Sequence, residues 1–157
     1  MMSKIYFFDW GNTLMVDFDK PGAMCDWDEV AACDGAEELL AYIAKNHKIY
    51  IATGAGQSSP EQVKKAFERV HLDRYIDGYF CESNVGVPKG TPDFLKLIVE
   101  HLHVNPEDVV MVGDRLEKDI KPALALGMNA VWITDEVIEH TPPNLRIIES
   151  LKEISLF

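Results

Sequence analysis

Cysteine is scarce: Cys25, Cys33 and Cys81 are the only three in 157 residues, an odd number with no CxxC pair. A disulfide framework is excluded, and a reducing, cytoplasmic compartment is the simplest reading. No His or Cys stands at ligand spacing beside them, which disfavours zinc. No apolar run approaches the roughly 18 residues of a membrane span. The start, Met1-Met2-Ser3-Lys4, leads into a short apolar stretch ending at Asp9, with no long apolar region and no small-residue cleavage site, so a secretory signal is not expected. Cations are few, 15 Lys+Arg against 26 Asp+Glu, for a net charge of −11. Nothing offsets repulsion from a phosphate backbone or an anionic bilayer, so no nucleic acid and no membrane is expected as a partner. Repeats, Gly/Ser linkers and biased tracts are also missing. At 47% hydrophobic and 26% charged, the chain reads as one domain over residues 1–157.

What is present is an alternation of strands and helices. Lys4 to Phe8 reads as a buried strand, short, apolar and ending at a polar turn. Residues 14–33 follow no clean period and carry Asp17, Asp19, Asp26, Asp28 and Glu29, the pattern of an acidic flap. A helix from Asp34-Gly35 to about Asn46 would bury Leu39, Leu40 and Ile43, and Lys48 to Ala52 is a second strand. Ser59-Pro60-Glu61-Gln62 has a cap, a proline at the first helical position and a Gln three residues after the cap, so a helix starts there and runs to about Val70. Tyr79 to Cys81 is a short strand. Thr91-Pro92-Asp93 opens a helix to about His103 that would bury Phe94, Leu97, Ile98 and Leu102. Val109 to Val112 is wholly apolar, as expected of a sheet centre. A helix from about Lys118 ends at Gly127, a left-handed C′ residue. Ala130 to Ile133 is a strand, and residues 144–154 are expected to form a closing helix. The alternation implies an α/β fold, a doubly wound, mostly parallel sheet with helices on both faces. Ligands of such sheets bind beyond the carboxyl ends of the strands.

Four residues stand there: Asp9, Thr53, Lys89 and Asp114, with Asp119 close behind. Each has a structural reading when taken alone. Asp9 or Asp114 would cap a turn, Thr53-Gly54 would be a strand exit, Lys89 a solvated lysine, and Asp119 the first-turn acid of a helix. Together they carry a chemistry. Carboxylates gathered at one edge repel unless a cation sits between them, all-oxygen coordination suits Mg²⁺, and a lysine and a hydroxyl alongside are donors to phosphate oxygens.

The segment Phe7-Phe8-Asp9-Trp10-Gly11-Asn12-Thr13-Leu14 resembles the first motif of the haloacid dehalogenase (HAD) superfamily. Thr53 falls where the second motif has its Thr or Ser, Ser83 to Phe94 resembles the loop carrying the motif lysine, and Gly113-Asp114-Arg115-Leu116-Glu117-Lys118-Asp119 is similar to the acidic motif GDxxxxD. The resemblance covers about residues 4 to 135. A response-regulator receiver would place its threonine and lysine after all its acidic residues, whereas here Asp114 and Asp119 come last. The resemblance implies a Rossmann-like, capless or minimally capped fold and an Mg²⁺-dependent phosphatase. Asp9 would be the nucleophile, forming an aspartyl-phosphate. Asp9, the Gly11 carbonyl, Asp114 and Asp119 would hold the metal. Thr53 and the Gly54 amide would hold a phosphate oxygen, with Lys89 neutralising that group and Asp9.

The match departs at Gly11, where the family's phosphatases usually have a second Asp that protonates the leaving group and then activates water. Four readings follow: a slow phosphatase or one acting on an acyl or aryl phosphate; replacement of the acid by Asp17 or Asp19, either of which also reads as a solvated flap carboxylate; transfer of the phosphoryl group to an acceptor; or a regulatory module that binds Mg²⁺ and phosphate without turnover. The Asp-Trp-Gly run also resembles phosphonoacetaldehyde hydrolase, but the segment from Leu14 to Asp34 is too short for that enzyme's cap and holds only Lys20. Without a cap the site stays open, which implies a phosphorylated substrate that is small or macromolecular, or a homo-oligomer whose neighbouring subunit covers the site.

Overall fold

A computed structural model describes residues 4–56 and 58–154. Its centre is a six-stranded sheet in the order β3-β2-β1-β4-β5-β6, formed by β1 (Ile5–Phe8), β2 (Lys48–Ala52), β3 (Gly78–Phe80), β4 (Val109–Gly113), β5 (Asn129–Ile133) and β6 (Leu145–Ile148). All five pairings are parallel. Phe8 stands opposite Ile51 on one side and Val112 on the other, so β1, β2 and β4 end level.

The period of two along each strand sorts side chains to opposite faces. Tyr6 and Phe8 join Ile49, Ile51, Val110 and Val112 beneath α1 (Ala36–Ala44) and α2 (Pro60–Arg69). Phe7, Ala52, Val109 and Met111 point the other way, toward α4 (Pro92–Leu102) and α5 (Lys121–Ala125). Burial on both faces explains why β1 and β4 are nearly continuous apolar runs. In α1, Leu39, Leu40 and Ile43 are buried as expected. Ser59 caps α2 in full: its side chain accepts from the Gln62 N–H, and the Gln62 side chain accepts from the Ser59 N–H.

Three expectations fail. Residues 144–154 do not form a helix. Leu145-Arg146-Ile147-Ile148 pairs with β5 as an edge strand, followed by a short 3₁₀ turn at Leu151–Glu153. Its two isoleucines favour the pleat, and Pro142-Pro143 removes two backbone donors just before it. In α4, Leu97 is exposed and the buried stripe runs through Phe94, Leu95, Ile98 and Val99, with Leu102 half-buried. The helix expected from Lys118 begins earlier, as a π-helical turn over Leu116–Ile120. Pro122 has no N–H to give back to Lys118, so regular hydrogen bonding restarts only in α5. The segment expected as the lysine loop also contains a short helix, α3 (Glu82–Val85).

The flap, residues 14–33, is tied down rather than free. Val16 N–H donates to the Ala31 carbonyl at 2.9 Å and Cys33 N–H to the Leu14 carbonyl at 2.8 Å. Ala23 and Met24 are buried, and the Arg69 guanidinium at the end of α2 donates to the carbonyls of Cys25, Trp27 and Asp28. Met24 is buried in the core, with the half-buried Trp27 packed against it, and both reach the edge of the cleft beyond the strand ends. Among the described residues, no helix is long and apolar enough to cross a membrane.

The Ser59 capping box satisfies the Ser59 and Gln62 N–H groups at the start of α2. Ser59→Ala is expected to lower stability by about 1 kcal/mol, read as a lower urea midpoint at unchanged slope; an unmoved midpoint contradicts the cap's contribution.

Candidate active site

The strand order reverses direction between β1 and β4, and a cleft opens beyond the carboxyl ends of strands at such a point. Here the cleft has a volume of about 410 Å³ and is lined by Asp9, Gly11, Thr53, Lys89 and Asp119, among others. Each residue arrives by a different route. Asp9 is the first residue past β1, fixed by its N–H donating to the Val112 carbonyl at 2.9 Å. Thr53 follows β2, its N–H held by the Phe80 carbonyl at 2.9 Å. Asp114 follows β4, and the Trp132 indole N–H donates to its carbonyl at 3.1 Å. Lys89 comes from the loop between α3 and α4, and the π-helical turn swings Asp119 inward.

The fold brings together the groups singled out in the sequence. Carboxylate oxygens of Asp9, Asp114 and Asp119 lie within 4.8 Å of one another. The Lys89 ammonium reaches between two of them, 2.8 Å from Asp9 Oδ1 and 2.5 Å from Asp119 Oδ1, and also donates to the Ala52 carbonyl at 2.8 Å. Burial alone would lower its pKa; Asp9 and Asp119 more than offset that, and it is held above the ordinary lysine value. The stem of Lys89 lies against Gly54, where a Cβ would stand 3.2 Å from Lys89 Cβ. Thr53 Oγ1 accepts from the Ala55 N–H at 3.2 Å, leaving its own hydroxyl proton free to point into the cleft. Two contributors had no assigned role in the sequence. The Thr13 hydroxyl donates to Asp9 Oδ2 at 3.4 Å, and the Arg115 N–H donates to Asp119 Oδ2 at 3.1 Å. Spacing of i, i+4 within the Asp-Trp-Gly-Asn-Thr run was the available signal for Thr13.

Position 113 accepts only glycine. Asp119, fully buried, folds its carboxylate over Gly113 so closely that a Cβ there would overlap it.

The arrangement leaves negative charge uncompensated. Burial, together with Asp9 and Asp119, pushes the Asp114 carboxyl up to about 7, and burial with Asp9 pushes Asp119 up to about 6 against the opposing pull of Lys89. Asp114 Oδ1 is buried and, when ionised, has no donor. Three oxygens of this kind, one of them orphaned, fit a hard divalent cation such as Mg²⁺. Burial keeps the Cys33 and Cys25 thiols protonated rather than reactive. Burial, then Asp114 and Asp34, pushes Cys33 up to about 11, and Cys25 is also raised, chiefly by burial.

These shifts fix a sign. Both carboxyls titrate above the roughly 3.9 of an unfolded Asp, so the metal-free folded state holds more protons than the unfolded chain. Their contribution to stability is present below about pH 4 and is lost as pH rises through about 6 and 7. A bound cation offsets that loss. The Tm gain on adding Mg²⁺ is expected to be small at pH 5 and larger at pH 8; equal gains at both contradict the cluster as the binding site. Gly113→Ala, which displaces Asp119, is expected to remove the gain.

With the geometry in place, comparison with known proteins gives consistent results. Residues 15–127 match the model of the haloacid dehalogenase-like hydrolases, a span that includes Thr53, Lys89, Asp114 and Asp119 and starts after Asp9 and Gly11. The chain is 31% identical over 130 residues to a glyceraldehyde 3-phosphate phosphatase of Pyrococcus furiosus, covering 73% of this chain and 53% of that one. It is 33% identical over 100 residues to a phosphoserine phosphatase of Thermus thermophilus, covering 62% and 40%. The chain thus spans about half the length of the curated relatives it matches. Among solved structures, an uncharacterised protein from Listeria monocytogenes serotype 4b shares the fold with a TM-score of 0.82 at 20% identity, over 96% of this chain and 94% of that one. Sheet order, cleft and family match agree, and the chain belongs to the haloacid dehalogenase-like hydrolases.

Proposed function

We propose that this chain hydrolyses phosphoric monoesters through a phosphoryl group carried on Asp9. The observation that carries the reading is the convergence of Asp9, Asp114, Asp119 and Lys89 at one edge of the sheet. The relatives named above as phosphatases support it.

Asp9 Oδ2 is the attacking atom in this reading, because Oδ1 is committed to Lys89 while Oδ2 takes the long contact from Thr13. Lys89 keeps Asp9 oriented and neutralises charge as the dianionic phosphoryl group enters. The Thr53 hydroxyl and the Gly54 N–H, both at the cleft, donate to a phosphate oxygen. Mg²⁺, held by Asp9, Asp114, Asp119 and the Gly11 carbonyl, would screen nucleophile from phosphate and stabilise equatorial charge. The substrate is a phosphorylated molecule, small or macromolecular; a neighbouring copy of the chain covering the cleft is the oligomeric variant of the same reading.

A second reading follows from Gly11, which offers no proton: a module that binds Mg²⁺ and phosphate without turnover. The two separate in a panel of phosphate esters with and without Mg²⁺. Turnover of an aryl phosphate is expected only with the metal and is expected to fall to background in Asp9→Asn. Beryllium fluoride is expected to raise the Tm of wild type and not of that variant. Metal-dependent phosphate binding with no turnover of any ester would select the binding module.

A further inference from the structure

Hydrolysis in two steps needs a proton given to the departing oxygen and another taken from the attacking water. Among the carboxylates lining the cleft, Asp9 and Asp119 are held by Lys89, which leaves Asp17 and Asp19.

Asp17 is placed for the task. A Cβ at position 11 would stand 3.5 Å from Asp17 Cβ and 3.7 Å from Asp17 Oδ2. The Asp17 side chain therefore occupies the space beside the bare Gly11 backbone, two residues beyond the nucleophile. Three hydrogen bonds put it there. Asn12 N–H donates to the Met15 carbonyl at 2.6 Å, Asp17 N–H donates to Asn12 Oδ1 at 3.0 Å, and Asp19 N–H donates to Asp17 Oδ1 at 2.8 Å. The last bond is an Asx turn that consumes Oδ1 and leaves Oδ2 toward Gly11. Immediately before it, Met15 and Val16 are paired with Ala31 and Ala32, so the loop is anchored where Asp17 leaves it. Asp19 has a left-handed backbone (φ 55°) and spends its N–H on orienting Asp17.

We infer that Asp17 is the proton-transfer group of this active site, acting from the flap in the space beside Gly11. The inference rests on Asp9 being the nucleophile. In the first step Asp9 Oδ2 bonds to phosphorus, the bond from phosphorus to the ester oxygen breaks with its electron pair on that oxygen, and Asp17 gives it a proton. In the second step the Asp17 carboxylate takes a proton from water as the water oxygen bonds to phosphorus. The bond from phosphorus to Asp9 then breaks, and the products are alcohol and inorganic phosphate, with both aspartates restored.

Leaving-group dependence tests this independently of the nucleophile. In the first turnover, before the second step that both ester classes share, nitrophenolate leaves without a proton and an alkoxide does not. Asp17→Asn is therefore expected to slow alkyl phosphate cleavage about 10²-fold or more and the burst of nitrophenolate far less. The amide keeps an acceptor for the Asp19 N–H, so the loop is retained. In that background Gly11→Asp, whose Cβ meets Asp17 only at ordinary contact distance, is expected to recover alkyl phosphate turnover by supplying an acid in the same space. Equal loss of first-turnover cleavage on both ester classes, no loss on either, no recovery, or the effect following Asp19→Asn instead would each overturn the role of Asp17. Nitrophenyl phosphate turnover that still needs Asp9 would leave the nucleophile assignment standing in all those cases; a wild type inactive on both classes would overturn both.

Discussion

One buried ammonium holds this site together. Lys89 stands between Asp9 and Asp119, its side chain 3% exposed. Take it away and two carboxylates face each other in a low-dielectric cleft with Asp114 beside them. Removing one partner of such a pair is strongly unfavourable because the remaining charge is stranded. Much of the local design serves this contact. Gly54 lets the lysine stem pass, Gly113 lets Asp119 fold back to meet it, and the Ala52 carbonyl accepts its third hydrogen. Yet one cation answers two carboxylates and leaves the third. With all three ionised the group carries a net charge of about −2, which a hard divalent ion would balance.

The sheet makes the convergence possible at small entropic cost. Asp9 and Asp114 hang from the ends of neighbouring buried strands whose register is fixed by large apolar side chains on both faces. A slip of one residue would put Phe7 and Phe8 on the wrong faces, so the carboxylates inherit their placement from the core. Asp119 is different. It depends on a π-helical turn, an uncommon geometry that concentrates at functional positions, and on Pro122 preventing the turn from relaxing into a regular helix.

This difference explains what was legible in the sequence. Strand ends were readable, because an apolar run followed by a polar residue needs only local pattern, and Asp9, Thr53 and Asp114 were found that way. So was the Ser59 cap, whose partners are three residues apart. Leu97 was misassigned because a helical stripe of apolar residues at 94, 95, 97, 98, 99 and 102 leaves its centre open by one position until the partner surface is known. The closing segment 144–154 failed for a related reason: an edge strand buries one face and needs a neighbour to reveal itself, and β5 is that neighbour. The flap was hardest. Asp17 and Asp19 are equivalent in sequence, and it is the folded loop, with its Asx turn and the approach of Asp17 to Gly11, that distinguishes them.

Charge shows the same separation of chain-wide from local information. A net charge of −11 argues against an extended polyanion, which would lie across many carboxylates at once. A phosphate group samples only its surroundings, since exposed charges beyond about 8–10 Å are largely screened. Around the cleft stand Lys20, Arg115 and Lys118. Among the described residues none of the three is in an ion pair. Lys20, Lys89, Arg115 and Lys118 stand against Asp9, Asp17, Asp19 and Asp119 around the cleft, so its surroundings are far less negative than the molecule as a whole. A phosphoryl group and an extended polyanion thus meet different fields on this surface, because the two differ in how much of it they touch.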